Sequence, residues 1–296
     1  MQEVKSGDKV AVVAPCAQIG DVEKISLAVQ YLQKCGLVPV YGQNLLKVNR
    51  YMAGTDEQRA ADVNAAFADN EIKAIFCVRA AAGGTRVLPY LDYELARRNP
   101  KPLIGFCDNA ALQLALWQKS GLVSYYGFVM TYDFKNGTLD SVIASDLHKL
   151  LNHETYEVVS GKTLHGGKAR GQLLCSNLTV LTRMAGTPYF PDLDGKILLL
   201  EDVHEKIYRV DLMLQQIKQQ PHFERLKGVI FGNFSDADSD AEDGTLDDCL
   251  YDFLQGTNIP AISGFDFGHT VSRRVLPIGA EAELDADAAV LKILQY

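Results

Sequence analysis

Short β-branched runs alternating with stretches of helical periodicity constrain this chain more than any other feature. Lys9–Ala14 (KVAVVA) is one such run, ended by Pro15, and reads as a buried strand. From Asp21 to Lys34 the apolar residues Val22, Ile25, Val29 and Leu32 fall at helical spacing, and Cys35-Gly36 stops the helix. Leu37–Tyr41 reads as the next strand. Thr55–Phe67 reads as a helix opened by Thr55-Asp56-Glu57-Gln58, with glutamine at the capping-box position. Ala74–Val78 is a strand leading into the glycine-bearing segment Arg79–Arg86; Leu103–Phe106 is another, followed by a helix over Asn109–Lys119. Strands that alternate with helices predict an α/β fold, a parallel sheet covered on both faces.

The pattern changes after about residue 145. His153–His165 is polar and carries Gly161, with Gly166 and Gly167 just beyond, and reads as a linker. Apolar strands at Lys196–Leu200 and Gly228–Phe231, a helix at Tyr208–Lys218 and a short-strand region from Ile262 onward then predict a second, mixed α/β domain. The expected domains are therefore residues 1–150 and 165–296. The chain has no internal repeat and no low-complexity tract.

Charge narrows the function classes. The 29 Lys and Arg residues against 37 Asp and Glu leave a net charge of −8, which repels nucleic-acid backbones and anionic membranes. No run approaches the roughly 18 apolar residues of a membrane-spanning helix. The start, Met1-Gln-Glu-Val-Lys-Ser-Gly-Asp, has neither the basic nor the apolar region of a secretory signal, which points to the cytoplasm. A periplasmic setting would require a leader already removed. Six cysteines (16, 35, 77, 107, 175, 249) without a CxxC pair read as reduced thiols, with no zinc site and no cofactor implied.

The most informative stretch is Pro102–Trp117. An apolar strand runs through Gly105 into Cys107, and an alanine- and leucine-rich helix follows at once. Strand, sharp turn and helix make a nucleophile elbow, which lifts one side chain above the carboxyl end of a sheet. The free amides and dipole of the helix start favour negative charge there, so a thiol gains thiolate character. The alternative is that Cys107 is a small apolar residue at a strand end. Lys196–Glu205 places Glu201 and Asp202 where a strand leaves the apolar layer. Glu201 can orient an imidazole by accepting its second N–H, or the two carboxylates cap the following helix, a role that suits Asp202 better. Gly264–Thr270 carries His269 in a glycine-flanked loop, suited to a general base near neutral pH or to a purely structural role. The order Cys107, Glu201, His269, each at an expected strand end, favours the catalytic reading. His204 is the rival, three residues from Glu201. Asp236–Gly244 has the acidic look of a calcium loop, but Ala241 stands where such loops need glycine and Asp247 where they need glutamate, so it reads as a solvated loop. Arg79–Arg86 matches neither phosphate-binding glycine pattern.

These blocks together resemble the LD-carboxypeptidases of peptidase family S66, which also contains the microcin C self-immunity peptidases. The resemblance runs from Val12-Val13-Ala14-Pro15 through Tyr51–Thr55, Val78-Arg79, Gly83, Arg86, Ile104–Asp108, Leu200-Glu201-Asp202, Tyr208–Asp211 and Gly264–His269 to Leu276–Gly279. It implies an N-terminal flavodoxin-like domain and a C-terminal swivelling β/α domain, usually in a homodimer, and metal-independent catalysis by a Ser–His–Glu triad. On that likeness Cys107 is the nucleophile, His269 the base and Glu201 the orienting acid, with backbone N–H groups of Ala81 and Asp108 as the oxyanion hole. The activity implied is removal of the terminal D-alanine from murein tetrapeptide at an L,D bond during peptidoglycan recycling. A free carboxylate and a diamino acid in that substrate call for charged partners, for which Arg79, Arg86, Arg209 and Arg273 are candidates.

Three departures stand out. Cys107 replaces the family serine, the RGGYG turn reads Arg79-Ala80-Ala81-Ala82-Gly83, and the GGNL stretch reads Cys175-Ser176-Asn177-Leu178. A Cys–His pair performs the same acyl transfer as Ser–His. Alanine at a position needing positive φ is strained, and losing one oxyanion donor costs roughly 10²–10³ in rate. Reduced activity, another peptide substrate, or a muropeptide-binding homologue without turnover are the alternatives this leaves. A glutamine-amidotransferase-like hydrolase fits less well, because its acid follows the histidine closely whereas Glu201 precedes His269 by 68 residues.

Overall fold

The computed structural model describes residues 3–20, 22–134, 137–237 and 244–295. Residues 238–243 of the acidic stretch lie outside the described residues. The chain divides into two compact units: Met1–Glu154 with Val275–Gly279, and Thr155–Arg274 with Ala280–Tyr296.

In the first unit the strands are β1 (Lys9–Val13), β2 (Val38–Tyr41), β3 (Ile72–Cys77), β4 (Leu103–Gly105) and β5 (Ser124–Tyr126). They lie in the order β2-β1-β3-β4-β5, all parallel. This is the doubly wound, flavodoxin-like order, in which ligands sit beyond the carboxyl ends of the strands. The strands are short and β-branched because both faces are covered: Val10, Val12, Ile75, Phe76 and Ile104 are fully buried. Register puts Val12, Phe76, Ile104 and Tyr125 in one row across the sheet. Three residues further along, Pro15, Arg79 and Cys107 therefore leave the same edge of the sheet. The helix Asp56–Ala68 begins on the Thr55/Gln58 capping box read from sequence. The helix Ala110–Ser120 follows the elbow, with every residue from Ala110 to Leu116 buried.

The second unit holds β6 (Tyr156–Val159), β7 (Lys162–His165), β8 (Lys168–Asn177), β9 (Lys196–Val203), β10 (Gly228–Ser235) and β11 (Ala261–Ser263). A late strand, β12 (Leu276–Ile278), returns to the first sheet and pairs antiparallel with β5. The chain ends in the hairpin β13 (Glu281–Asp285) and β14 (Val290–Gln295) of the second unit. The second sheet runs β6-β14-β13-β8-β9-β10-β11-β7, parallel from β8 to β11 and antiparallel outside that core.

The stretch expected as a linker is two strands. β6 pairs with β14 and β7 with β11, partners roughly a hundred residues or more away in sequence. Both are edge strands with at least half their residues in contact with water, so they lack the apolar run that marks a core strand. No helix among the described residues is long and apolar enough to cross a membrane.

Candidate active site

In the first unit the elbow forms because β4 ends at Gly105 and the chain folds sharply back into a helix. A Cβ on Gly105 would lie 2.6 Å from Cβ of Asn109, so only glycine admits this turn. Phe106 is extended, and Cys107 takes the left-handed region with φ of 55°. For a residue with a side chain this costs on the order of 1–3 kcal/mol, and such strain gathers at functional sites. The Cys107 N–H donates to the Tyr126 hydroxyl at 3.2 Å, and the Tyr126 ring stands edge-on to Phe106 at 5.2 Å. Cys107 is partly exposed, whereas Cys16, Cys77 and Cys175 are fully enclosed and burial pushes their thiols up. Asp108 and Asn109 are buried at the start of the helix.

The turn after β3 carries a second strained residue. Ala81 has φ of 73°, and Ala82 N–H donates to the Ala80 carbonyl at 3.1 Å, closing a γ-turn of the rarer, positive-φ form. Arg79 is half-buried and donates to the Gln18 carbonyl at 2.8 Å. Arg86 forks onto the Asp56 carboxylate at 3.0 and 2.7 Å, so its guanidinium has a partner within the protein.

In the second unit Glu201 is fully buried, and His269 Nδ1 lies 2.7 Å from its carboxylate, with 10 % of the His269 side chain exposed. The strand read as ending at Leu200 runs to Val203, which buries Glu201 inside β9. The loop that delivers His269 is strapped to β10. Asn233 N–H donates to the Phe267 carbonyl at 2.7 Å, and its side-chain amide reaches the Phe265 and Phe267 carbonyls at 3.3 and 3.2 Å. Two glycines permit the approach: a Cβ on Gly232 would meet the Phe267 carbonyl at 2.5 Å, and one on Gly268 (φ 119°) would meet Glu201 Cβ at 3.0 Å. With a proton on Nδ1 donated to Glu201, Nε2 is left as the basic nitrogen, the arrangement a general base requires.

The rival histidine is elsewhere: His204 is exposed and lies 3.5 Å from Asp236. Asp202 does not cap the following helix: its carboxylate accepts the Thr179 N–H at 2.9 Å in the first turn of the preceding helix, Leu178–Met184, whose N-cap is Asn177. It also accepts from the Asn177 amide at 2.7 Å, and burial pushes its carboxyl up. Arg209 is exposed beside Glu205 at 3.7 Å, and Arg273 is buried, donating to the Thr270 carbonyl at 3.0 Å. Among the described residues no three His, Cys, Asp or Glu side chains are grouped to hold a metal. Sequence reasoning missed Tyr126 and Asn233. Gly232-Asn233 directly after the apolar run of β10 was the available signal for the second; nothing local marked the first.

Known proteins agree with this architecture. The family model of the LD-carboxypeptidase N-terminal domain matches residues 10–127 and that of the LD-carboxypeptidase C-terminal domain residues 170–284. The chain belongs to the LD-carboxypeptidases, peptidase family S66. It is 32 % identical to a probable murein peptide carboxypeptidase of Bacillus subtilis, over 95 % of this chain and 90 % of that protein. The microcin C7 self-immunity protein MccF of Escherichia coli is 26 % identical over 90 % of this chain and 87 % of its own length. The crystal structure of muramoyltetrapeptide carboxypeptidase from Oxalobacter formigenes superimposes with a TM-score of 0.90 at 28 % identity, covering 97 % of this chain and 99 % of that one. The two-sheet α/β fold read from sequence is the fold these proteins share.

Proposed function

We propose that this chain is an LD-carboxypeptidase that releases the terminal D-alanine of murein tetrapeptide, with Cys107 as nucleophile, His269 as base and Glu201 as the group that orients His269. The buried 2.7 Å contact between Glu201 and His269 carries the reading, because it fixes one imidazole tautomer and supports the imidazolium that proton transfer creates. The elbow conformation of Cys107 and the murein names of the relatives support it further.

The Cys107 thiol gives its proton to His269 Nε2 while sulfur attacks the carbonyl carbon that precedes the D-residue. The backbone N–H groups of Ala81 and Asp108 hold the oxyanion. Collapse breaks the C–N bond, His269 returns the proton to the leaving amine, and water then hydrolyses the thioester. Arg79 is the nearer candidate for the substrate carboxylate, since Arg86 is paired with Asp56. Action as a homodimer in the cytoplasm, in peptidoglycan recycling, belongs to the same proposal and is checked by light scattering and cell fractionation.

The test is incubation with murein tetrapeptide and detection of free D-alanine. Wild type releases it and Cys107→Ala does not; no release by wild type, or undiminished release by Cys107→Ala, ends the proposal. The left-handed Ala81 supports a second reading, a muropeptide-binding homologue with impaired turnover. Calorimetric binding of the tetrapeptide without D-alanine release would select it. Cleavage of a microcin-type peptide conjugate with the tetrapeptide left intact would select a microcin-immunity type of peptidase.

A further inference from the structure

The two residues after Cys107 are of types that usually cap helices, yet neither caps the helix it precedes. Asn109 stands at the N-cap of Ala110–Ser120 and makes no side-chain bond to that helix. Its amide donates instead to the Arg79 carbonyl at 3.3 Å, and its own Oδ1 is buried without a partner. Leaving a buried acceptor unpaired is unfavourable, and a conventional cap would have satisfied it. Asp108, 3 % exposed, accepts the Gly84 N–H on its carboxylate at 2.5 Å. Gly84 is the residue that admits this contact, since a Cβ there would lie 2.4 Å from the Asp108 carbonyl oxygen. The segment Arg79–Gly84 is thus held at both ends by consecutive residues of the elbow, and the strained Ala81 lies between the two points.

We propose that the Asp108 carboxylate and the Asn109 carboxamide are positioning groups that pin the Arg79–Gly84 turn to the elbow and so set the aim of the Ala81 N–H at the oxyanion. This rests on the peptidase reading above. An oxyanion donor acts only if it is aimed at the charge formed in the transition state, so loosening the turn slows the chemical step and leaves ground-state binding nearly intact. The bond from Gly84 needs an acceptor but no charge, so asparagine at 108 preserves it.

Steady-state kinetics of D-alanine release are measured for wild type, Asp108→Ala, Asp108→Asn and Asn109→Ala, with amide hydrogen exchange at Ala82 and Gly84 followed by NMR. Asp108→Ala and Asn109→Ala are expected to lower kcat about 10- to 100-fold with KM within about threefold, a part of the loss from deleting a donor outright. Asp108→Asn is expected to recover most of the kcat that Asp108→Ala loses, because its amide oxygen still accepts the Gly84 N–H. Gly84 exchange accelerates in Asp108→Ala and not in Asp108→Asn. Wild-type kcat in Asp108→Ala, a loss confined to KM, or no rescue by asparagine overturns the proposal. If wild type itself releases no D-alanine, the peptidase reading has failed, and exchange decides the pin separately: unchanged Gly84 and Ala82 exchange in Asp108→Ala overturns it, whereas acceleration reversed by asparagine upholds it.

Discussion

Replacing Ala81 by glycine should make the first unit more stable, although it removes a side chain from a folded protein. Ala81 is exposed, so its methyl group contributes little burial. Its φ of 73° brings Cβ against the backbone at a cost of roughly 1–2 kcal/mol, which glycine does not incur. Glycine gives back about 0.4–1 kcal/mol through the greater freedom of its unfolded chain. The net gain is on the order of 1 kcal/mol, or a rise in Tm of about 2–4 °C for a unit of this size. The neighbours supply an internal control. Ala80 and Ala82 are not among the residues with positive φ, so glycine there brings the entropic penalty, about 0.5–1 kcal/mol of destabilisation, and at the buried Ala80 the loss of a packed methyl group as well. Urea unfolding followed by fluorescence of Trp117, the single tryptophan and a residue of the first unit, reads the three variants side by side. A midpoint for Ala81→Gly at or below that of wild type would refute the strain argument, as would equal shifts at all three positions.

Two further predictions concern buried charges. Glu201→Gln keeps the shape of the acid and removes its charge from beside the imidazolium that the proposed mechanism forms on His269. A pair of charges about 4 Å apart at an effective dielectric constant near 20 interacts by about 4 kcal/mol, so kcat should fall about a thousandfold with the fold intact by circular dichroism; a rate within threefold of wild type would remove Glu201 from the mechanism. Lys101 is 6 % exposed and donates from Nζ to the carbonyls of Ala66 at 2.7 Å, Phe67 at 3.0 Å and Asp69, closing the end of the helix Asp56–Ala68. Burial brings its amine down to about 8. Between about pH 8 and 10.5 the unfolded chain therefore holds a proton that the folded protein has released, and this group's contribution to stability rises with pH by up to roughly 3 kcal/mol. Lys101→Met should cost about 2 kcal/mol at pH 7 by leaving carbonyls without a donor. The stability gap to wild type should then widen towards pH 10, and a gap that stays flat would contradict the assignment.

Much of the first unit was legible because its signals are local. Thr55 and Gln58 form the capping box their spacing announces, and the strand-to-helix turn at Cys107 lies where Gly105 and the following alanines place it. The second unit was read less completely. β6 and β7 passed for a linker because an edge strand is defined by the strand it pairs with, not by its own hydrophobicity.

By itself the sequence determined the succession of apolar core strands and helices, the presence of two α/β parts and the sharp turn that presents Cys107, since periodicity, caps and chain reversals act over a few residues. The tertiary structure alone decided that Glu201 faces His269, 68 residues away, and not His204, three residues away. It alone decided that Asp202 bonds the first turn of an earlier helix, that β12 returns to the first sheet, and that Ala81 carries the strain of its turn. Each of these depends on strand register and close backbone approach between segments remote in sequence, which no local pattern encodes.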